Sequence, residues 1–285
     1  MIAQTRQRVL SVVCGIVFLM LLGGASPSIE ADLRFEVGEE GWGSASHADV
    51  KAVLVSAAQA LWKEAGSPKL PVIRVEPSGG PIVLHRRDAD GAIRVRLAVE
   101  DRRWSQLAYQ FSHEFAHILC GFDQAHPSQL WLEEAACEAA SLFSLRRMAK
   151  SWSQKTDSSW SSYAPHLKSY SDDLIEKIRA ELPSDFKAWF RSHQQRLQSH
   201  PDDRKQLRVV SLVWLELLEE DPRGWRALRY LNRGDRSADE DLPQLFRRWR
   251  KNCPKQDREQ VDRVKELFIG IEKNSKSRIG APVQN

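Results

Sequence analysis

The sequence predicts an α+β fold in which a small mixed sheet packs on one long helix and a mostly helical subdomain follows. Three observations predict it. Short β-rich segments occupy the first hundred of the 285 residues, the apolar spacing becomes helical at Trp104, and a helical pattern broken by prolines fills residues 172–271. The 42% apolar share is enough for a core. A net charge of only +4 argues against nucleic acid as a partner.

The N-terminus predicts an export signal. Arg6 and Arg8 precede an apolar run over residues 9–22, and small residues follow at 23–25, where a signal peptidase would cut. This run of 14 residues is short of the roughly 20 that a membrane-spanning helix needs. We therefore interpret residues 1–25 as a signal peptide of a secreted, periplasmic or cell-surface protein. An uncleaved membrane anchor is the alternative.

The next segments read as one helix among short strands. A helical pattern over 47–64 ends at Gly66, and β-rich segments cover residues 33–37, 71–75, 82–85 and 92–98. The last two segments flank the sequence Asp-Ala-Asp-Gly, which favours a turn, so we expect them to form a hairpin.

Two helices follow the hairpin. The first begins at Trp104 and should end at Gly121, and the second should run from residue 127 or 129 to Met148. Residues 151–170 are rich in serine and lack a period, which predicts a linker or a loop lining a cleft. These features divide the mature chain into a subdomain over 26–150, the linker, and a helical subdomain over 171–285.

The motif His113-Glu114-Phe115-Ala116-His117 lies on the first of these helices. Histidines four residues apart project from one face of a helix and can share a metal ion, while Glu114 between them suits a base that takes a proton from a metal-bound water. Chance would produce H-E-x-x-H roughly 0.016 times in this composition. The alternative is a buried helix with two ordinary histidines.

A catalytic zinc site needs a third protein ligand and an open position for water. Glu134 and Glu138 lie four apart on one face of the second helix, and Glu133 is expected to face elsewhere, about 100° away. If the two helices pack side by side, Glu134 reaches the metal and Glu138 reaches the outer nitrogen of a histidine, fixing its tautomer. The other candidate ligand is Asp123, six residues after His117.

The H-E-F-A-H motif followed by Trp131-Leu132-Glu133-Glu134-Ala135 resembles the gluzincin metallopeptidases, which include thermolysin and the zinc aminopeptidases. The resemblance covers about residues 104–148. It implies a zincin-like catalytic subdomain over 26–150, one Zn²⁺ held by His113, His117 and Glu134, and a substrate cleft between the two subdomains. It also implies that an extended peptide pairs with the strand at 92–98. Ala135 stands where the aminopeptidases have glycine.

Asp123 belongs to a different pattern, that of the metzincins. In that pattern a glycine follows the second histidine by three residues, where this chain has Cys120, and a methionine turn lies beneath the metal. Met148 is the one methionine after the motif, and its sequence context is helical and basic. A metzincin-like peptidase therefore remains the less favoured alternative.

Other titratable residues are weaker candidates. Tyr163, His166 and Tyr170 lie in or at the end of the predicted loop, where a gluzincin would bring a tyrosine or histidine to stabilise the oxyanion; each is otherwise an ordinary packing residue. Residues 242–285 hold 11 basic and 5 acidic residues. That excess indicates a solvated helix face or, as a second interpretation, weak contact with an anionic surface.

The sequence thus predicts an exported zinc-dependent peptide hydrolase whose substrate is a peptide or protein. In this interpretation Glu114 is the general base and then carries the proton to the leaving amine. Two other classes stay open: a catalytically silent zinc- or peptide-binding protein on the same scaffold, and a helical scaffold protein in which the motif arises by chance.

Overall fold

A computed structural model represents the chain. It describes residues 33–270 except positions 126, 156–158 and 238. The predicted signal peptide and the last fifteen residues of the basic C-terminal region lie outside the described residues. Within the described ranges, no helix is both long enough and apolar enough to cross a membrane.

Four short strands form one mixed sheet. They are β1 (Phe35–Val37), β2 (Ile73–Glu76), β3 (Ile82–Val83) and β4 (Ile93–Arg96). Their order is β1-β2-β4-β3, with β1, β2 and β4 parallel and β3 antiparallel to β4. The predicted hairpin is confirmed, and Gly91 allows its turn by adopting a φ of 82°.

The edge strands of the sheet are β1 and β3, so the expectation that a peptide would pair with the strand at 92–98 was wrong. The hairpin turn folds β3 back onto one side of β4, whose other side pairs with β2. Both sides of β4 are therefore occupied, and within the described chain β3 has an unpaired edge.

Nine helices account for most of the remaining described chain. They are α1 (His47–Trp62), α2 (Trp104–Cys120), α3 (Leu130–Ser153), α4 (Ser159–Arg179), α5 (Phe186–Ser199), α6 (Arg204–Glu220), α7 (Gly224–Leu228), α8 (Leu242–Asn252) and α9 (Arg258–Phe268). The class predicted from the sequence, a small mixed sheet and a mostly helical C-terminal region, is confirmed. Gly121 ends α2 as predicted, with a left-handed φ of 74°.

The linker or cleft loop predicted for residues 151–170 is wrong, because α3 continues to Ser153 and α4 begins at Ser159. The high serine content obscured a helical period. The buried residues of α4 recur every three or four positions, at Ala164, Leu167, Ser171, Ile175 and Ile178. They face the core, so α4 packs against α3 and belongs to the helical layer.

Helix α3 lies at the centre of the fold and contacts α1, α2, α4 and α6. Small buried side chains make this possible: Ala135, Ala136, Ala139, Ala140, Ser141 and Ser144. They let neighbouring helices approach closely, so α2 and α3 lie side by side. On its other side α2 packs on the sheet, with the ring of Phe111 5.7 Å from that of Phe35 in β1.

Candidate metal centre

Two helices bring three potential metal ligands together. His113 and His117 project from one face of α2 with their ring centroids 5.0 Å apart. Glu134 of α3 reaches both: one carboxylate oxygen lies 3.2 Å from Nε2 of His113, and the other lies 3.5 Å from Nε2 of His117. One atom from each residue can be chosen so that all three lie within 4.8 Å of one another. This is the ligand set that the sequence predicted.

The three groups are close enough together to hold one metal ion, since one atom from each lies within 4.8 Å of the others. Zinc bonds nitrogen and oxygen at about 2.0–2.2 Å, which places neighbouring ligand atoms of a tetrahedron about 3.3 Å apart. The observed 3.2 and 3.5 Å are similar to that value, although they join the two histidines to different oxygens of Glu134. Two imidazoles and one carboxylate also leave a fourth position open, as in catalytic zinc sites.

Glu133 lies on the other edge of the His117 ring, which corrects the expectation that it faces elsewhere. Its Oε1 accepts from Nδ1 of His117 at 2.7 Å, and the glutamate is only 1% exposed. The angle of about 100° between Glu133 and Glu134 on the helix suggested that only one of them could reach the metal centre. It does not account for the His117 imidazole, which lies between the two carboxylates. The two nitrogens of an imidazole face different directions, so Nδ1 reaches one carboxylate and Nε2 the other.

These two contacts constrain where the His117 ring can carry a proton. An ionised carboxylate only accepts hydrogen bonds, so Nδ1 of His117 carries the proton that faces Glu133. In the neutral ring Nε2 is then a lone pair that faces the carboxylate of Glu134. Two acceptors 3.5 Å apart need a proton or a cation between them.

The titration of these groups reflects the same arrangement. Burial opposes the imidazolium form of His117, but the carboxylates of Glu133 and Glu134 outweigh it and raise the pKa of His117 well above its usual value. Burial also disfavours the Glu134 carboxylate, but His113 and His117 outweigh it and hold the pKa of Glu134 well below its usual range. The centre therefore favours positive charge between its carboxylates.

Glu138 lies beside the other histidine. Its Oε2 is 3.9 Å from Nδ1 of His113, the neighbourhood that the sequence predicted, although this distance exceeds that of a hydrogen bond. The hydroxyl of Tyr109 and Nε of Arg208 both donate to its other oxygen, the latter at 3.2 Å. Burial, with the nearby Glu138 charge, raises the pKa of Tyr109 well above its usual value.

Glu114 is buried next to the ligands, with 4% of its surface exposed. Burial raises the pKa of its carboxyl, against the opposing effects of His113, His117 and the backbone N–H of Val83 in β3. A carboxylate with a raised pKa is a better proton acceptor near neutral pH than an exposed one.

A cavity of about 830 Å³ opens at this centre. Residues of α2, α3, α4, α6 and the edge strand β3 line it, and its apolar wall includes Ile82, Phe122, Leu174 and Leu207. Ile82 is 44% exposed at the rim. The volume lies within the range of about 300–1,000 Å³ that is typical of ligand sites.

The three proposed oxyanion residues separate in space. Tyr170 lines the cavity, where burial raises its pKa. Tyr163 instead accepts from the backbone N–H of Ser105 at 3.4 Å, at the far end of α2, and His166 packs on its ring. Among the described residues that line the cavity, neither Tyr163 nor His166 is present.

Asp123 does not join the candidate ligands. Its carboxylate pairs with Arg87 at 3.2 Å, and no group of possible metal ligands among the described residues contains it. The alternative third ligand considered for a metzincin-like site is therefore not placed at the centre.

The basic run at residues 247–251 is not a continuous surface patch. Arg248 is buried in α8 and donates through Nε and Nη2 to the two carboxylate oxygens of Glu240, at 2.6 and 2.8 Å. Arg250 pairs with Asp262. The prediction of a solvated helix face is thus wrong for Arg248, because the helical period of α8 places that side chain on the inner face with Leu245 and Trp249.

Comparisons with protein-family models, with curated proteins and with solved structures find no significant match. The resemblance to gluzincins therefore depends on the motif residues, and any functional conclusion depends on the geometry of the centre.

Proposed function

We propose that the protein is an exported, zinc-dependent peptide-bond hydrolase of the gluzincin type. One observation carries the proposal: His113, His117 and Glu134 each bring a possible ligand atom within 4.8 Å of the others, beside the buried carboxylate of Glu114. The export signal at residues 1–25 is part of the same proposal and comes from the sequence.

His113, His117 and Glu134 would hold one Zn²⁺. When bound, the ion supplies Lewis acidity that polarises a peptide carbonyl and lowers the pKa of water. Glu133 keeps the proton of His117 on Nδ1, so that Nε2 presents a lone pair to the metal position.

Glu114 moves the proton. Its carboxylate accepts one from the attacking water and delivers it to the amide nitrogen of the leaving peptide. The raised pKa of Glu114 brings the acid and base forms closer in free energy near neutral pH, which suits a group that must both accept and donate.

The edge strand β3 supports a peptide substrate. The Val83 N–H faces Glu114, whereas the next residue, Leu84, donates to Arg94 of β4 at 2.9 Å. The N–H and C=O of one strand residue point to the same side, so the Val83 carbonyl also lies on the edge facing the centre. An extended peptide could pair there, with the phenol of Tyr170 available to the oxyanion.

The test is Glu114→Gln, which removes the base but retains size. We expect zinc to stay stoichiometric while hydrolysis of a mixed peptide library falls about 10²–10⁴-fold. Glu100→Gln, the same change at an exposed position outside the cavity, is the matched control and should remain active. A chelator should abolish the parent's activity, and added zinc should restore it.

Two results would contradict the proposal. A parent protein that holds one zinc but hydrolyses no peptide is the catalytically silent binding protein instead. A fully active Glu114→Gln variant would mean that another group is the base.

A further inference from the structure

We propose that Asn232 is a positioning residue for the metal centre: it holds the carboxylate of Glu133 and, through it, the imidazole of His117. The metal-binding part of this inference rests on the proposed zinc site. Asn232 lies in the segment after α7, 99 residues from Glu133 along the chain.

The contact joins two buried polar groups. Asn232 is 5% exposed, and its Nδ2 donates to Oε2 of Glu133, while Oε1 of the same carboxylate accepts from His117. Each carboxylate oxygen thus has one donor. Two donors at opposite ends fix the plane of the carboxylate, so the direction from which it approaches Nδ1 of His117 is fixed as well.

Because Glu133 is buried, loss of the Asn232 contact should change the position of its carboxylate. Within the described chain, His117 and Asn232 are the hydrogen-bond partners of Glu133, which is only 1% exposed. A buried carboxylate that loses one of its two donors is free to rotate toward another polar group. That rotation weakens its hydrogen bond to Nδ1 of His117, so the orientation of the imidazole ring is no longer fixed.

The backbone around Asn232 is held from both sides. Nη1 of Arg248 donates to the carbonyls of Leu231 and Arg233, each at 2.8 Å, and these two residues flank Asn232. Arg236 donates to the carbonyl of Asn232 itself. The buried Arg248 therefore fixes the backbone from which the Asn232 amide reaches Glu133, and the C-terminal helical region completes a site whose ligands lie on α2 and α3.

The first experiment compares two asparagine variants of the full chain. Asn232→Leu keeps the approximate size but removes the donor. Asn252→Leu is the matched control, because Asn252 donates to the carbonyls of Arg233 and Arg248 and so supports the same segment without touching Glu133. Zinc affinity is measured by competition with a chromogenic chelator, and folding of the metal-free variants by circular dichroism.

We expect Asn232→Leu to bind zinc about 10- to 100-fold more weakly and Asn252→Leu to stay close to the parent. The absorption spectrum of the cobalt(II)-substituted protein should change in Asn232→Leu alone, because it reports the ligand field and not the stability of the segment. A folded Asn232→Leu with the parent's affinity and spectrum would overturn the inference.

A charge swap covers the case in which Asn232→Leu fails to fold. Asn232→Asp alone places two carboxylates in contact and should lose zinc affinity. Adding Glu133→Gln restores one amide and one carboxylate: the new amide at position 133 accepts from His117 through its carbonyl and donates through its NH₂ to the new carboxylate at position 232. We expect this double variant to recover at least about 10-fold in affinity over Asn232→Asp. No recovery would overturn the inference.

These readouts separate the inference from the proposed function. Zinc affinity and cobalt spectra do not require hydrolysis, so a zinc-binding parent without peptidase activity refutes the enzyme but leaves the Asn232 inference open to confirmation. A parent that binds no zinc refutes both.

Discussion

Two clusters of buried charge lie in this protein, and they differ in how far the chain itself neutralises them. In the first, Arg248 donates to both oxygens of Glu240 and to two backbone carbonyls, so that its Nε, Nη1 and Nη2 atoms all meet acceptors. In the second, His113 and His117 direct their Nε2 atoms at one carboxylate of Glu134. The chain's own arginine neutralises the first cluster, whereas the carboxylates of the second are balanced only by a proton or a cation bound at the histidines.

The difference makes the histidine cluster the stronger candidate for a functional site. The Arg248–Glu240 pair is almost fully enclosed, with side chains 7% and 3% exposed, and its geometry is bidentate. The histidine cluster opens on the cavity, so a proton or a cation can reach the space between its imidazoles and carboxylates. Burial of charge alone therefore does not identify a site; buried charge that faces an accessible cavity is the better indicator.

Among the variants that test the difference between the two clusters, Glu134→Ala should have the largest effect, and that effect is on zinc binding. We expect the Glu134→Ala variant to contain less than one zinc per chain, because the substitution removes one ligand and its negative charge. Asp123→Ala should retain one zinc per chain, since Asp123 pairs with Arg87. Metal analysis after gel filtration measures both. The reverse pattern would return the protein to the metzincin alternative.

Breaking the Arg248–Glu240 cluster should instead cost stability. Arg248→Met leaves Glu240 buried without its partner, and we expect the free energy of unfolding to fall by about 3–5 kcal/mol. Urea denaturation in the presence of a chelator measures this without any contribution from metal. In the same assay Glu134→Ala should change the free energy of unfolding much less. A cost below about 1 kcal/mol for Arg248→Met would mean that the pair is not a stabilising element.

A smaller effect should appear in the pH dependence of the metal-free protein. The pKa of His117 is raised on folding, so its contribution to stability is complete below the unfolded pKa of about 6.5 and is lost as pH rises through the folded pKa. Zinc competes with that proton, so stabilisation by zinc should grow over the same range.

Urea denaturation between about pH 5 and pH 9, with and without zinc, tests the sign of this effect. The metal-free parent should lose stability with rising pH more steeply than His117→Gln, which cannot titrate there. Equal slopes for the two proteins would show that His117 is not held as an imidazolium in the metal-free state.

The sequence predicted local features well because their causes are local. The spacing of His113 and His117, the stop at Gly121 and the turn before β4 each depend on a few neighbouring residues. The position of Glu134 beside the two histidines also followed from the sequence, since a short connection between α2 and α3 favours packing of these helices against each other.

Other features depend on contacts between distant segments. No spacing rule connects Asn232 to Glu133 or Arg208 to Glu138, because these pairs form only when the C-terminal helices pack on α3. The place of Tyr109 at the centre could have been predicted from the sequence, since it lies one turn before His113 on the same face of α2. The helix over residues 159–170 did not follow from the sequence, because its many serines are typical of loops and the inward-facing positions include only a few large apolar residues.

The adjacent positions of Glu133 and Glu134 have a consequence for how the chain can tolerate changes in length. Both edges of the His117 ring are held by consecutive residues of one helix, so the spacing between those two carboxylates is fixed by the helix and not by a loop. A residue added to the connection beside the exposed Gln124 leaves that spacing intact. A residue inserted between 133 and 134 turns everything beyond it by about 100°, and Glu134 then leaves the ring. Natural or engineered insertions should therefore be compatible with metal binding before α3 begins and incompatible within its second turn.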